Sequence, residues 1–210
     1  MRSDHASALV PLLTRRSTAA LFGPAPSDDE LDALLQAAAT VPDHGGLRPW
    51  RFVIVAGDAR EAFGDALVAA AREHGPELGA DAAERIRAKA FVAPALIAVA
   101  ARIIDSPKVP AWEQIASASC AGYALTLAAH QLGLGAIWKS TVHRDGAQLR
   151  RLLDLAAADQ FLGWVNVGRV DPERLVVVRP PADLSDVARR LDATGVPVPA
   201  PAAAGALDRP

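Results

Sequence analysis

The chain contains one cysteine, Cys120, so no internal disulfide can form, and the absence of C-x-x-C or paired Cys/His spacing excludes a zinc site. An excess of one charge is also missing. Lys plus Arg number 22 against 24 for Asp plus Glu, with neither sign gathered in a block, which excludes the basic footprint of a nucleic-acid or anionic-membrane binder. The best membrane-span candidate, residues 115–138, is mostly alanine and is interrupted by His130, Gln131, Gly133 and Gly135, so no membrane role is expected. The opening stretch MRSDHASALVPLLTRR is too polar for a signal peptide, and a cytoplasmic location is expected.

Several catalytic signatures are missing as well. There is no G-x-S-x-G elbow, and His44, His74, His130 and His143 stand in no triad-like pattern, which argues against Ser/His/Asp hydrolysis. Paired carboxylates in an apolar setting are absent, weakening hydrolase readings further. Gly133-Leu134-Gly135 does not make a dinucleotide fingerprint, because it follows a helical run and Trp138 stands where the third glycine belongs. No internal repeat is apparent.

Half of the residues are apolar, enough to build one large domain over 1–195, followed by a Pro/Ala-rich stretch, 196–210, that reads as a flexible tail. Residues 5–14 suit a short helix in which Pro11 must occupy the first turn or bend the axis. Ser27 with Glu30 three residues later forms a capping box, opening a helix whose inner face carries Leu31, Leu34, Leu35 and Ala38. Residues 52–55 read as a buried strand and 95–100, apolar on both faces, as a central one. Helices are expected over 59–74, ended by Gly75-Pro76, and over 78–91, a charged surface segment that could serve as a lid or specificity element. Residues 111–132 form a long helix, apolar nearly all round, which requires burial in a core or between subunits, and in a domain of this size the subunit interface is the expectation, since its small Ala, Ser and Gly side chains permit close backbone approach. Cys120 on it then reads as a small buried hydrophobe. Strands follow at 135–140 and 161–167, a helix capped by Asp145 lies between them, and a short strand is expected at 175–178.

The most informative stretch is VPDHGGLRPWRFVIV, residues 41–55. Pro42 stops the preceding helix, and the loop after it carries His44, two glycines and Arg48 before running into the strand. A polar loop anchored between a helix end and a core strand is a common place for a binding site, and equally an ordinary connection. Arg15-Arg16-Ser17 offers forked cationic donors and a hydroxyl, a set that suits an oxyanion, although an Arg pair is more often a solvated surface feature. The polar residues left over are cationic and hydroxylic, which fits holding an anionic cofactor better than attacking a bond.

Four segments together carry a family likeness. Arg15-Arg16-Ser17, Pro42-Asp43-His44 with Pro49-Trp50, the run Lys108-Val109-Pro110-Ala111-Trp112-Glu113-Gln114, and Gly135-Ala136-Ile137-Trp138-Lys139-Ser140 resemble, in order and spacing, the flavin-dependent nitroreductases, over about 12–168. The resemblance implies an α+β fold with a central, mostly antiparallel sheet flanked by helices, and an intertwined homodimer with FMN at the subunit interface. It implies ping-pong chemistry, with NAD(P)H as co-substrate and a nitro compound, quinone or similar small molecule as acceptor. A storage protein of the same fold with little turnover is the alternative, and a flavin-free helical dimer a third reading. Carried over by residue, Arg15, Arg16 and Ser17 would hold the phosphate and flavin oxygens, His44 would reach the flavin from the other subunit with Thr40 nearby, and Trp138, Lys139 and Ser140 would line the cofactor. Residues 128–133 would lie near the nicotinamide. No acid, base or nucleophile is assigned, since the flavin does the chemistry. The chain departs from the family at Gly46 and Arg48, where larger members carry Asn and Gln, and from a small subgroup at Thr40 and Lys139, both Arg there. If Arg48 faces the pyrimidine edge, its charge would stabilise the reduced anionic flavin and raise the midpoint potential, which an Arg48→Gln variant tests.

Overall fold

The computed structural model describes residues 3–75, 77–171, 173, 184–185 and 187–199, without the side chains of 3–7 and 199. The chain divides into two compact units, Arg15–Arg174 and a second made of Met1–Thr14 with Leu175–Pro210.

The larger unit is organised on a four-stranded sheet. Strands β1 (Trp50–Ala56), β2 (Ala95–Ala101), β3 (Gly135–Lys139) and β4 (Gln160–Gly168) lie in the order β1-β2-β4-β3, and every neighbouring pair is antiparallel. All seven residues of β2 are buried because both faces are covered. On one face, helix α2 (Asp28–Ala38) and helix α5 (Ala111–Gln131) pack Leu31, Leu34, Ala121 and Leu125 against Ile97, Val99, Val165 and Val167. On the other, helix α3 (Ala59–His74) and helix α6 (Ala147–Leu152) pack Phe63, Leu67 and Leu149 against Leu96, Ala98, Phe161 and Trp164. Period-2 alternation thus sends successive β2 side chains into two separate cores, and each fully buried Leu, Ile, Val or Phe contributes about 1.5–3 kcal/mol.

Ser27 accepts from the Glu30 amide, and the Glu30 carboxylate returns the bond to the Ser27 N–H at 2.8 Å, so the capping box opens α2. Gly75 closes α3, as its position before a proline predicts. The 78–91 segment is helix α4 (Ala80–Arg87) followed by a 3₁₀ turn over Ala88–Phe91. The mixed helix and antiparallel-sheet fold agrees with the expectation from the sequence.

Two local expectations, for β1 and for the cap of α6, are corrected, and two, for α5 and for Pro11, are narrowed. Strand β1 is the sheet edge, so among its residues only Val55 is fully buried and Ile54 is exposed. Helix α5 buries one face, through Gln114, Ala118, Ala121, Gly122, Leu125, Thr126 and Ala129, and Cys120 lies on the other side, exposed in this chain. Asp145 does not cap α6. Gly146 occupies the cap position, and both carboxylate oxygens of Glu73, from α3, accept from the Ala147 N–H at 3.0 Å, so the cap arrives through tertiary packing. Pro11 lies in the third turn of its helix rather than the first.

In the smaller unit, helix α1 (Ser3–Thr14) and a hairpin of β5 (Arg189–Leu191) with β6 (Pro197–Pro199) are described. The strand expected at 175–178 and the tail segment 200–210 lie outside the described residues.

Candidate functional site

Helix α5 is the axis of the candidate site. Two groups of the expected residues lie against it, one near its start and one near its middle.

The middle group begins with residues 15–17. Ser17 makes a parallel bridge to Ala136 of β3, and the Thr18 N–H donates to the Ala136 carbonyl at 2.9 Å, so this segment runs alongside the first half of β3. Arg15 reaches α5, where its guanidinium carbon lies 5.6 Å from the Tyr123 ring centroid, and Arg16 Nη1 donates to the Arg15 carbonyl at 2.7 Å. Arg15 Nε is buried with no hydrogen-bond partner, an unusual state for a charged donor. Next to Tyr123 on α5, Gly122 closely approaches Cη2, Cζ3 and Cζ2 of the Trp138 indole. A methyl there would come within 2.4 Å of Trp138 Cη2. Trp138 Nε1 donates to the Leu162 carbonyl at 3.2 Å, which fixes the ring from the opposite side. Lys139 and Ser140 follow at the end of β3, both exposed, about 10 Å along the strand from Ala136. The Lys139 carbonyl presses on Gly163, whose φ of +114° suits a residue without a side chain.

The other group is the 40–48 loop, docked on the start of α5. Ser117 donates to the Pro42 carbonyl at 2.5 Å, and Val109 packs against Gly45, which sits at φ +77°. His44 Nδ1 is 2.7 Å from Glu113 Oε2. The Asp43 carboxylate accepts from the Leu47 and Arg48 amides at 3.0 and 2.7 Å, and Arg48 adopts φ +49°. The Thr40 hydroxyl donates to the Ala37 carbonyl at 2.8 Å, terminating α2. Gln114, 1% exposed, exchanges hydrogen bonds with both backbone groups of Ile104 and donates to the Val109 carbonyl, so the 104–110 segment is locked to α5.

Within one chain, therefore, Arg15, Arg16 and Ser17 lie along the first half of β3 with Arg15 on Tyr123, Trp138 packs on the neighbouring Gly122, and Thr40, His44 and Arg48 form a second group. Glu113 and Gly122 are nine residues apart, about 14 Å along the helix axis. Lys139 and Ser140 belong to the far end of β3. Four further residues that shape these groups, Glu113, Ser117, Gly122 and Tyr123, were not singled out as site residues from the sequence. Gly122 was detectable as a glycine in a helix interior, where it costs about 1 kcal/mol relative to alanine unless a close contact requires it. Chemically the middle group offers cationic and hydroxyl donors with an unpartnered buried N–H, a set that fits the phosphate of a mononucleotide such as FMN. Among the described residues, no cluster of three His, Cys, Asp or Glu could hold a metal, and no helix is long and apolar enough to cross a membrane.

Residues 12–169 match the Nitroreductase family. The chain is 35% identical over 161 residues to the protein named Putative NAD(P)H nitroreductase YdjA of Escherichia coli K12, a match covering 77% of this chain and 87% of that one. Among solved structures, the nitroreductase-like family protein from Bacillus cereus superposes with a TM-score of 0.73 at 22% identity, covering 88% of this chain and 95% of that one. A nitroreductase with bound FMN from Bacteroides fragilis superposes with a TM-score of 0.62 at 21% identity, covering 86% and 96%. With most of its length inside that family's bounds and the antiparallel sheet and helical layers of its solved members, the chain belongs to the nitroreductase family.

Proposed function

We propose that this protein is an FMN-dependent oxidoreductase that uses NAD(P)H to reduce nitro compounds, quinones or similar small acceptors, in alternating half-reactions, as a homodimer. The observation that carries the reading is the buried, unpartnered Nε of Arg15 beside Arg16 and Ser17, in a chain whose relatives are named for NAD(P)H and whose structural neighbour holds FMN. A guanidinium in that state is suited to an anionic ligand that completes its hydrogen bonding.

When bound, FMN supplies the electron carrier between donor and acceptor, and the protein supplies position and electrostatics. Arg15, Arg16 and Ser17 would hold the phosphate and flavin oxygens, with Lys139 and Ser140 adding a cation and a hydroxyl. Trp138, pinned between Gly122 and the Leu162 carbonyl, offers a rigid apolar wall. His44, with Thr40 and Arg48 beside it, would come from the second copy. The exposed side of α5, with Ala116, Cys120 and Tyr123, would then be part of the contact between copies.

The test is purification with FMN followed by a visible spectrum and steady-state assays. Bleaching of the flavin by NAD(P)H and its reoxidation by a nitroaromatic or quinone is the expected result. A flavin that dithionite reduces and NAD(P)H does not would replace the enzyme with a storage protein, and a chain that takes up no FMN would overturn both. Arg15→Ala should weaken FMN binding by roughly ten- to a hundredfold, the worth of about 1.5–3 kcal/mol for a hydrogen bond to a charged group, and the deficit should shrink at high salt. Equal affinity in the variant would remove Arg15 from the site.

A further inference from the structure

Three helices of this fold carry a glutamate at the third helical position; Glu61 of α3 pairs with Arg87, and in the other two the residue before the helix decides what the glutamate does. In α2 the cap is Ser27, whose N–H takes one oxygen of Glu30. In α5 the cap is Pro110, which has no N–H, so a capping box cannot form and the Glu113 carboxylate is not consumed locally. It bonds instead across 69 residues of sequence to His44 Nδ1, at 2.7 Å. The backbone segments that carry the two residues are anchored, while the His44 ring itself is exposed. Gln114 anchors the preceding loop, Val109 packs on Gly45, and Ser117 holds the Pro42 carbonyl. Negative charge in the first turn is also favoured by the helix dipole, so the carboxylate is stable where it stands.

We propose that Glu113 is the positioning residue of His44. By accepting from Nδ1–H it fixes the imidazole in the tautomer whose lone pair is on Nε2, and it holds the ring in one orientation for a ligand outside the pair. In that tautomer Nε2 is a hydrogen-bond acceptor, matching an N–H at the edge of a planar heterocycle. This deepens the reading of His44 as a flavin contact and rests on it for the identity of the ligand, but not for the tautomer.

The experiment is ¹⁵N NMR of the histidine rings in the purified full chain, with His44 assigned by a His44→Gln variant, alongside FMN titration followed by flavin fluorescence. Wild type should show Nδ1 protonated and Nε2 bare. Glu113→Ala should release the ring to the Nε2–H tautomer and weaken FMN binding about tenfold. Glu113→Gln, whose amide oxygen still accepts from Nδ1–H, should restore both the tautomer and the affinity to within about twofold. The same tautomer in wild type and Glu113→Ala would overturn the proposal. A changed tautomer with unchanged FMN affinity would overturn its functional half by removing His44 from the cofactor site, while the Arg15 variant would still judge the flavin reading separately.

Discussion

Alanine at position 122 is the sharpest test of how the site is assembled. The added Cβ would lie 2.4, 2.7 and 2.8 Å from Cη2, Cζ3 and Cζ2 of Trp138, where carbon atoms prefer about 3.5–4.0 Å, so the rigid indole must retreat by about 1 Å or more. That displacement strains or breaks the bond from Nε1 to the Leu162 carbonyl, worth about 1 kcal/mol, and adds an overpacking cost of about 1–3 kcal/mol. Better helix propensity returns about 1 kcal/mol. The net expectation is a loss of about 1–3 kcal/mol, read from the urea midpoint at constant m. In a Trp138→Ala background the clash has no partner, and Gly122→Ala should instead stabilise by about 1 kcal/mol. The sign of the effect therefore inverts between backgrounds, a coupling of roughly 2–4 kcal/mol in a double-mutant cycle. Gly122→Ala that stabilises wild type, or that costs the same with and without the indole, would refute the packing argument. With Trp138 intact, the variant should also bind FMN more weakly, because the displaced ring is a wall of the proposed site.

Two further outcomes follow from polar groups the fold has committed. The Arg169 guanidinium, hydrogen-bonded to both Glu30 oxygens at 2.7 and 2.8 Å, together with the Ser27 amide lowers the Glu30 carboxyl from 4.5 to about 2. Its stabilisation is complete above the unfolded value and is lost as pH falls through the folded one, so the stability gap between wild type and Glu30→Gln should close between pH 4.5 and about 2; a gap that stays constant across that window would contradict it. Gln114→Ala leaves the part-buried Ile104 N–H and carbonyl and the buried Val109 carbonyl without their partner, and should cost about 2–4 kcal/mol, a Tm drop of roughly 5–15 °C by calorimetry. A drop of a degree or two would mean that the 104–110 segment is held by something else.

The sequence alone determined the local structure wherever short-range chemistry decides it. The Ser27/Glu30 box, the stop at Gly75, and β2, apolar on both faces, were legible because capping, helix termination and burial on two faces leave marks within a few residues. The family likeness was legible too, since four short motifs keep their order and spacing. Tertiary structure decided which of those residues meet. No spacing rule tells that Ser17 pairs with Ala136, that Glu113 bonds to His44, or that Glu73 caps α6, because each joins segments 69 to 119 positions apart. Nor could periodicity tell which side of α5 would be covered: its alanines fit either side, and only the sheet and α2 choose one, leaving Cys120 on the other. Hydrophobic pattern says that a surface must be buried, whereas only the packed fold says against what.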